Sequence, residues 1–352
     1  MALNFLKILF KMISPAIITS RVSRTGFLKP LEFIPASMLK GAIISQLYRN
    51  GAIDASSLMV ASSSIFASYA YPVVGNLELY PCHPLMYECK ICKEFIDYTN
   101  IVIDEMERSG VLELRNIVCN NGHRTLENLY TKFYPKYDII SHKTICVGID
   151  KERGSSEVGM LYEYEAIPSE SKFWAILAIS EEYDLKDFEF YIGRGISRGF
   201  GKARIVGIKK INLEDISEKL DDLPRSNYIV LYALSPLLCG SGNSYASYPR
   251  EIDLSKIAKI ASLDLSGNLI IKQVYGRNNF IIGGWDMMKN AEKPTIKRAT
   301  YPGAIAISKF NGDSKALALL SILGTNERVG DTSYTGVNML IPLRLYSIFR
   351  GD

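Results

Sequence analysis

The chain has 352 residues, 47% of them apolar and 22% charged, with a net charge of +4. That is ordinary globular composition, and it excludes a disordered polyelectrolyte and a chain too small to bury its own core. No uninterrupted apolar run reaches roughly 18 residues, which excludes a conventional membrane-spanning helix.

The length predicts two domains. The first 20 residues are apolar, with Lys7 and Lys11 interrupting the run and no basic stretch ahead of it. That pattern predicts a buried first strand, not a signal peptide. Ser37 is a candidate helix N-cap, and Met38, Ala42, Ile43 and Leu47 give the helix after it one apolar face. Residues 65–80 read as extended, and residues 81–142 as a polar insert. Strand-like runs follow at 144–149, 160–167 and 173–179, then a short helix or turn at 184–191. A glycine-rich loop at 193–201 leads into a strand at 203–208. Residues 214–223 read as a helix or linker, 228–238 as a buried strand and 239–250 as a Gly/Ser/Tyr loop. Extended runs at 269–271 and 273–275, a turn at 283–286, a strand at 303–310 and a helix at 313–323 come next. A second glycine-containing loop at 324–336 precedes a last strand at 337–348. Both halves thus end in a glycine-containing loop followed by an apolar strand. The expected fold class is α+β. It comprises two ferredoxin-like (RRM-like) β-α-β-β-α-β domains, residues 1–210 and 211–352, the first carrying the 81–142 insert.

Gly193, Gly195, Gly199 and Gly201 let the backbone adopt positive φ and come close to a ligand. Between residues 193 and 210 stand Arg194, Arg198, Lys202, Arg204, Lys209 and Lys210 with no acidic residue among them. Successive N–H groups in such a loop can form an anion nest, the cations can neutralise phosphates, and Phe200 can stack on a base or pack beneath the loop. A dinucleotide fingerprint is disfavoured, because the glycine spacing is wrong and β-branched residues follow instead of a helix. A solvated hairpin loop is the bland alternative. An RNA-phosphate loop fits the alternation of glycine and arginine best, with Gly193, Arg194, Gly195, Ser197, Arg198, Gly199, Phe200, Gly201, Lys202 and Arg204 as candidate contacts.

Six cysteines occur: Cys82, Cys89, Cys92, Cys119, Cys146 and Cys239. Without a secretion signal, reduced thiols and a cytoplasmic location are expected. Cys89-x2-Cys92 followed by Cys119-x3-His123 has zinc-knuckle spacing, so these four are the expected ligands of a structural zinc, with Cys82 as a fifth candidate. Unpaired thiols in a polar insert are the plain alternative. A catalytic zinc is not expected, since no Glu stands at general-base spacing. The only histidines are His83, His123 and His142, too few for an acid–base ribonuclease once His123 is given to metal. Ser197 has no visible base partner. Trp285, between Gly283-Gly284 and the basic run Lys289, Lys293, Lys297, Arg298, is either a stacking platform or a core anchor.

Together these motifs resemble the RAMP superfamily of CRISPR proteins. The 193–203 segment resembles that family's glycine-rich loop. Pro35-Ala36-Ser37-Met38-Leu39-Lys40-Gly41-Ala42 resembles its Pro-x-Ser-x-x-Arg-Gly-Ala helix opening. The Cys/His insert (Cys82, Cys89, Cys119, Gly122, His123), Gly283-Gly284-Trp285 with Pro294 and Pro302-Gly303, and Gly324-Thr325-Asn326-Glu327-Arg328 resemble the type III-D subunit at the crRNA 5′ handle. The chain departs from that pattern at Lys40, where Arg is usual, at Asn326, and at 333–336. The resemblance implies a non-catalytic RNA-binding subunit in antiviral defence that caps the crRNA 5′ handle, adding Ser37, Lys40 and Arg328 to the expected RNA contacts. It implies docking to the large polymerase/cyclase subunit and to backbone RAMP proteins, indirect contact with target RNA, and no membrane partner. A crRNA-processing, metal-independent endoribonuclease and a protein-only scaffold are the alternatives.

Overall fold

The computed structural model describes residues 3–19, 30–114, 117–134, 142–150, 152–153, 155–180, 183–240, 246–286 and 291–349. The strand Leu3–Met12 is the middle of a 7-stranded sheet. It pairs antiparallel with Lys172–Ser180 on one side and Lys202–Lys210 on the other. Tyr71–Val74 and Phe66–Ala67 add to Lys172–Ser180, Leu77–Glu78 adds to Tyr71–Val74, and Glu189–Tyr191 adds to Lys202–Lys210.

The first strand is apolar nearly throughout because both its faces are covered. Ile8, Phe10 and Met12 face one core cluster with helix α1 (Ala36–Arg49), while Phe5 and Leu9 face another. Lys7 lies on the second face, nearly buried, with its ammonium 2.6 Å from Glu78 and over the Trp174 ring. Helix α1 opens at Ala36, one residue before Ser37. The Pro35 carbonyl accepts from Met38 and Leu39 N–H, so Pro35 is the cap residue and Ser37 sits inside the first turn, correcting the expected N-cap. Helix α2 (Leu58–Ser64) follows.

The insert folds as a three-stranded sheet, Phe95–Asp97, Met86–Cys89 and Leu126–Asn128, with helix α3 (Thr99–Ser109) beside it. Polar composition concealed α3, whose apolar side chains are few. A long hairpin, His142–Asp150 with Ser155–Ala166, returns the chain to the first sheet.

The second sheet is five-stranded, in the order Glu251–Asp253, Gly267–Tyr275, Ile305–Gly312, Ile229–Ala233, Leu340–Pro342. Helices α4 (Leu213–Asp221) and α5 (Leu254–Ile260) pack on α6 (Ser314–Leu323). Counting four principal strands in each sheet, both run fourth, first, third, second, and every pairing is antiparallel.

Three further expectations need correction, the first at 184–191, where Glu189–Tyr191 is an edge strand and not part of a short helix or turn. Residues 283–286 are not all turn: Trp285–Asp286 pairs with Ala291–Glu292. Residues 324–336 form a hairpin, Thr325–Val329 with Thr332–Val337, and the last strand is only Leu340–Pro342. Asn338 ends the hairpin at φ 55°, and its buried amide bonds both the N–H and the carbonyl of Leu238.

The two sheets share one core. Trp174, Tyr71 and Tyr80 from the first half pack in the same cluster as Leu231, Tyr232 and Leu340 from the second. Polar atoms stitch the seam: Tyr232 Oη donates to Pro81 O (2.7 Å) and Tyr71 Oη to Leu234 O, while within the first half Trp174 Nε1 donates to Leu79 O (2.9 Å). Arg344 ties α3 to the second half through Glu107 and Asp104. Among the described residues, no helix is long and apolar enough to cross a membrane. Trp174→Ala opens a cavity in this common core and leaves Leu79 O without its donor. The expected loss is about 3–5 kcal/mol, read as a lowered denaturant midpoint in a single transition for both halves.

Candidate nucleic-acid interface and metal centre

The glycine loop is built by close backbone packing. A Cβ on Gly193 would lie 2.7 Å from Ile17 O, and one on Gly201 would lie 2.2 Å from Ile192 O, so only glycine fits either position. Gly195 and Gly199 flank a single 3-10 turn, Ile196–Arg198, both in the left-handed region. Phe200 is half-buried and packs on Gly195, beneath the loop. Five loop N–H groups are used inside the fold: Arg194 to Ile17 O, Arg198 to Gly195 O, Gly199 to Ile196 O, Phe200 to Gly195 O and Gly201 to Pro15 O. The loop is therefore a rigid platform more than an open backbone nest. What it offers outward are the exposed side chains of Arg194, Ser197 and Arg198.

Glu189 was not legible as part of this site. It comes from the neighbouring strand and pairs with Lys202 (2.7 Å) and Arg204, and these two cations hold its carboxyl below the usual range. The stretch has no acid in sequence but gains one across the sheet.

Residues 16–19 run beside the loop. Ile17 bridges to Arg194 on one side, and Ile18 O accepts from Leu31 N–H on the other, just ahead of α1. Ser37 stands in the first turn of α1, facing Gly284: a Cβ there would be 3.6 Å from Ser37 Oγ and 3.9 Å from Lys293 Cδ. Lys40 is 7% exposed, donates to Ser62 O (2.6 Å) and lies over the Phe66 ring. Burial, and then the nearby Lys293 ammonium, push Lys40 down to about 8. Lys293 donates to Ser333 O (2.9 Å) and stands over Tyr334, with burial lowering it and Asp286 opposing that shift. Ser37, Lys40 and Lys293 thus meet where the two halves touch. The basic run after Trp285 was the only sequence signal for Lys293. Trp285 pairs with Glu292 through its backbone, while its side chain and residues 287–290 lie outside the described part of the structure. Arg328 is exposed on the last hairpin, paired across it with Ser333.

The insert brings Cys89, Cys92, Cys119 and His123 together, with all four donor atoms within 4.8 Å of one another. Cys89 and Cys92 flank the turn that closes the strand pair Met86–Cys89 and Phe95–Asp97, where Lys93 N–H donates to Cys89 O. Cys119 and His123 flank a second tight turn, with Gly122 at φ 78° and Gly122 N–H donating to Cys119 O. The separations are Cys92 Sγ to Cys119 Sγ 3.8 Å, Cys89 Sγ to His123 Nδ1 3.6 Å and Cys119 Sγ to His123 Nδ1 3.3 Å. A tetrahedral ion with metal–sulfur bonds of about 2.3 Å and metal–nitrogen bonds of about 2.0 Å gives edges of roughly 3.8 and 3.5 Å, so the group fits a metal ion. The Glu94 N–H at the Cys92 sulfur, helped by His123, pulls the Cys92 thiol down to about 6. Cys82 is not in the group. It is buried beside Met86 and Leu129, where desolvation pushes its thiol up to about 12.

No family model and no curated protein matches the chain. Among solved structures, a chain of the type III-B Cmr-beta complex bound to cognate target RNA and AMPPnP is 15% identical, covers 86% of each chain and has a TM-score of 0.48. A Cmr4 crystal structure is 12% identical over 59% of this chain and 100% of its own, at 0.27. Cmr4 (Cas7) from Pyrococcus furiosus gives 12%, 59%, 100% and 0.26.

Because Lys40 holds its proton less tightly folded than unfolded, folding releases a proton between about pH 8 and the ordinary lysine range. The cost of the buried cation, on the order of 3 kcal/mol, applies below pH 8 and fades as pH rises to about 10.5. Lys40→Met should flatten the rise in stability between pH 8 and 10 that the native chain shows in denaturant titrations.

Proposed function

We propose that this chain is a non-catalytic RNA-binding subunit of a type III CRISPR effector complex, built from two ferredoxin-like units, that holds the crRNA near its 5′ handle. The observation that carries this reading is the rigid glycine loop. Gly193 and Gly201 lock its ends against Ile17 and Ile192, leaving Arg194, Ser197 and Arg198 facing outward. Cations and a hydroxyl suit phosphate oxygens, and a backbone set by close packing loses little entropy on binding. Ser37 and the half-buried Lys293 beside it lie at the first helix, where Lys40 is held inward on Ser62 O and supports the site from beneath. The motif resemblance supplies the partners: the large polymerase/cyclase subunit, backbone RAMP proteins and, through the crRNA, target RNA.

The histidines give a ribonuclease little to work with. His83 is fully buried, and burial pushes it down to about 4 against the pull of Asp97. His123 belongs to the metal group, and His142 lies on the long hairpin, opposite Ala166.

The test is UV crosslinking of the chain with its partner subunits to labelled crRNA, with crosslinked peptides mapped by mass spectrometry. Peptides from 193–204 joined to handle nucleotides, with no RNA shortening, are expected. Arg194→Ala with Arg198→Ala should weaken handle binding by a few kcal/mol at most, at roughly 1.5–3 kcal/mol per charge-assisted bond. An intact complex without those crosslinks would move the chain to a protein-only scaffold.

For the Cys3His group the proposed ion is zinc in a structural role. Purified protein should contain one zinc per chain by elemental analysis. Cys119→Ser should lose it and lower the melting temperature, while Cys82→Ser keeps it.

A further inference from the structure

The second sheet carries a cation–aromatic cluster outside everything described so far. Tyr228 immediately precedes the strand Ile229–Ala233, and three contacts fix its position. Its N–H donates to Glu107 O of α3 (3.0 Å). Its ring lies on Gly110, where a Cβ would come within 2.7 Å of it. Its hydroxyl accepts from Lys272 Nζ (3.0 Å). The Lys272 ammonium stands 4.5 Å from the ring centroid and the Lys309 ammonium 5.6 Å from the same centroid.

Lys272 reaches this ring through a β-bulge. Ile271 pairs with Ser308 and Gln273 with Ile307, which leaves Lys272 as the unopposed residue between them. A bulge turns a side chain away from the alternation of its strand, and here it gathers Lys272 and Lys309 at one ring. Both lysines are exposed. Among the described residues, neither has a carboxylate within 4.0 Å. Since the Tyr228 oxygen already accepts the Lys272 proton, its own O–H is left to donate. The cluster therefore presents two ammonium groups and one hydroxyl donor, which suit the oxygens of a phosphodiester. The flanking Arg225, Ser226, Asn227 and Gln273 are exposed and polar. They give a protein partner little apolar core to bury, with Ile270 the one exposed aliphatic beside Lys309.

We propose that Tyr228, Lys272 and Lys309 form a phosphodiester-binding site for single-stranded nucleic acid, separate from the glycine loop. The proposal rests on the RNA-binding reading only for the identity of the strand. It is tested with the full-length chain and labelled oligouridylate, measuring affinity against salt for the native protein, Lys272→Ala/Lys309→Ala, Arg194→Ala/Arg198→Ala and the combination of all four. The slope of log affinity against log salt should fall by about 1.4 in the Lys272/Lys309 variant, at roughly 0.7 per phosphate contact on a single strand. The Arg194/Arg198 variant should keep a salt-dependent remainder that the combined variant loses. Tyr228→Phe, which keeps the ring on Gly110, should weaken binding without lowering the melting temperature. A native slope in the Lys272/Lys309 variant, with binding lost in the Arg194/Arg198 variant, removes this site and leaves the loop reading standing. Failure of the native chain to bind oligouridylate removes both. Equal competition by polyglutamate overturns the proposal in favour of an acidic protein partner.

Discussion

The structure depends on the common core in which two sheets bury one set of large aromatics. Trp174, Tyr71 and Tyr232 are all fully buried, and each carries a polar atom that desolvation would make costly if left unpaired. Each finds a backbone carbonyl, at Leu79, Leu234 and Pro81. Two of those bonds cross the seam: Tyr71 reaches into the second half and Tyr232 into the start of the insert. Relative placement of the halves is thus set by hydrogen bonds of fixed geometry as well as by apolar area. That makes it possible for side chains from both halves to face one another, as Lys40 and Lys293 do.

Much of the architecture was legible because the strands follow simple rules. The run at 173–179 reads as a buried strand since both its faces are covered, and the helix at 313–323 starts after an Asp and ends at a glycine. Helices α3 and α5 were not legible. Helix α3 lies in a stretch of mixed polar composition, and α5 is only seven residues long, too short to show a helical period. The last strand was overestimated because residues 337–348 are mostly apolar, while the single Asn338 takes a positive φ and turns the chain.

The candidate sites divide along the same line. Cysteine spacing alone selected Cys89, Cys92, Cys119 and His123, because two tight turns carry two ligands each and a short turn fixes its own geometry. The fifth thiol, Cys82, could be set aside only in three dimensions. In the glycine loop, sequence located the cations but not their counter-charge. Glu189 arrives by strand pairing, and pairing partners are long-range information. The same holds for the cluster around Tyr228, whose members come from two strands, the residue ahead of a third and one helix cap.

The insert is attached asymmetrically. At its base, Gly303 takes a positive φ so that its backbone can lie against Cys82 O, and Tyr232 holds Pro81. At its tip, the Cys/His turns close on their own local hydrogen bonds. The two ends therefore differ in how freely they can be exchanged. The two turns at the tip, residues 89–93 and 119–123, could be exchanged for those of another protein and find their structure from local hydrogen bonds. A graft cut at residue 81 would have to reproduce the seam of the whole molecule.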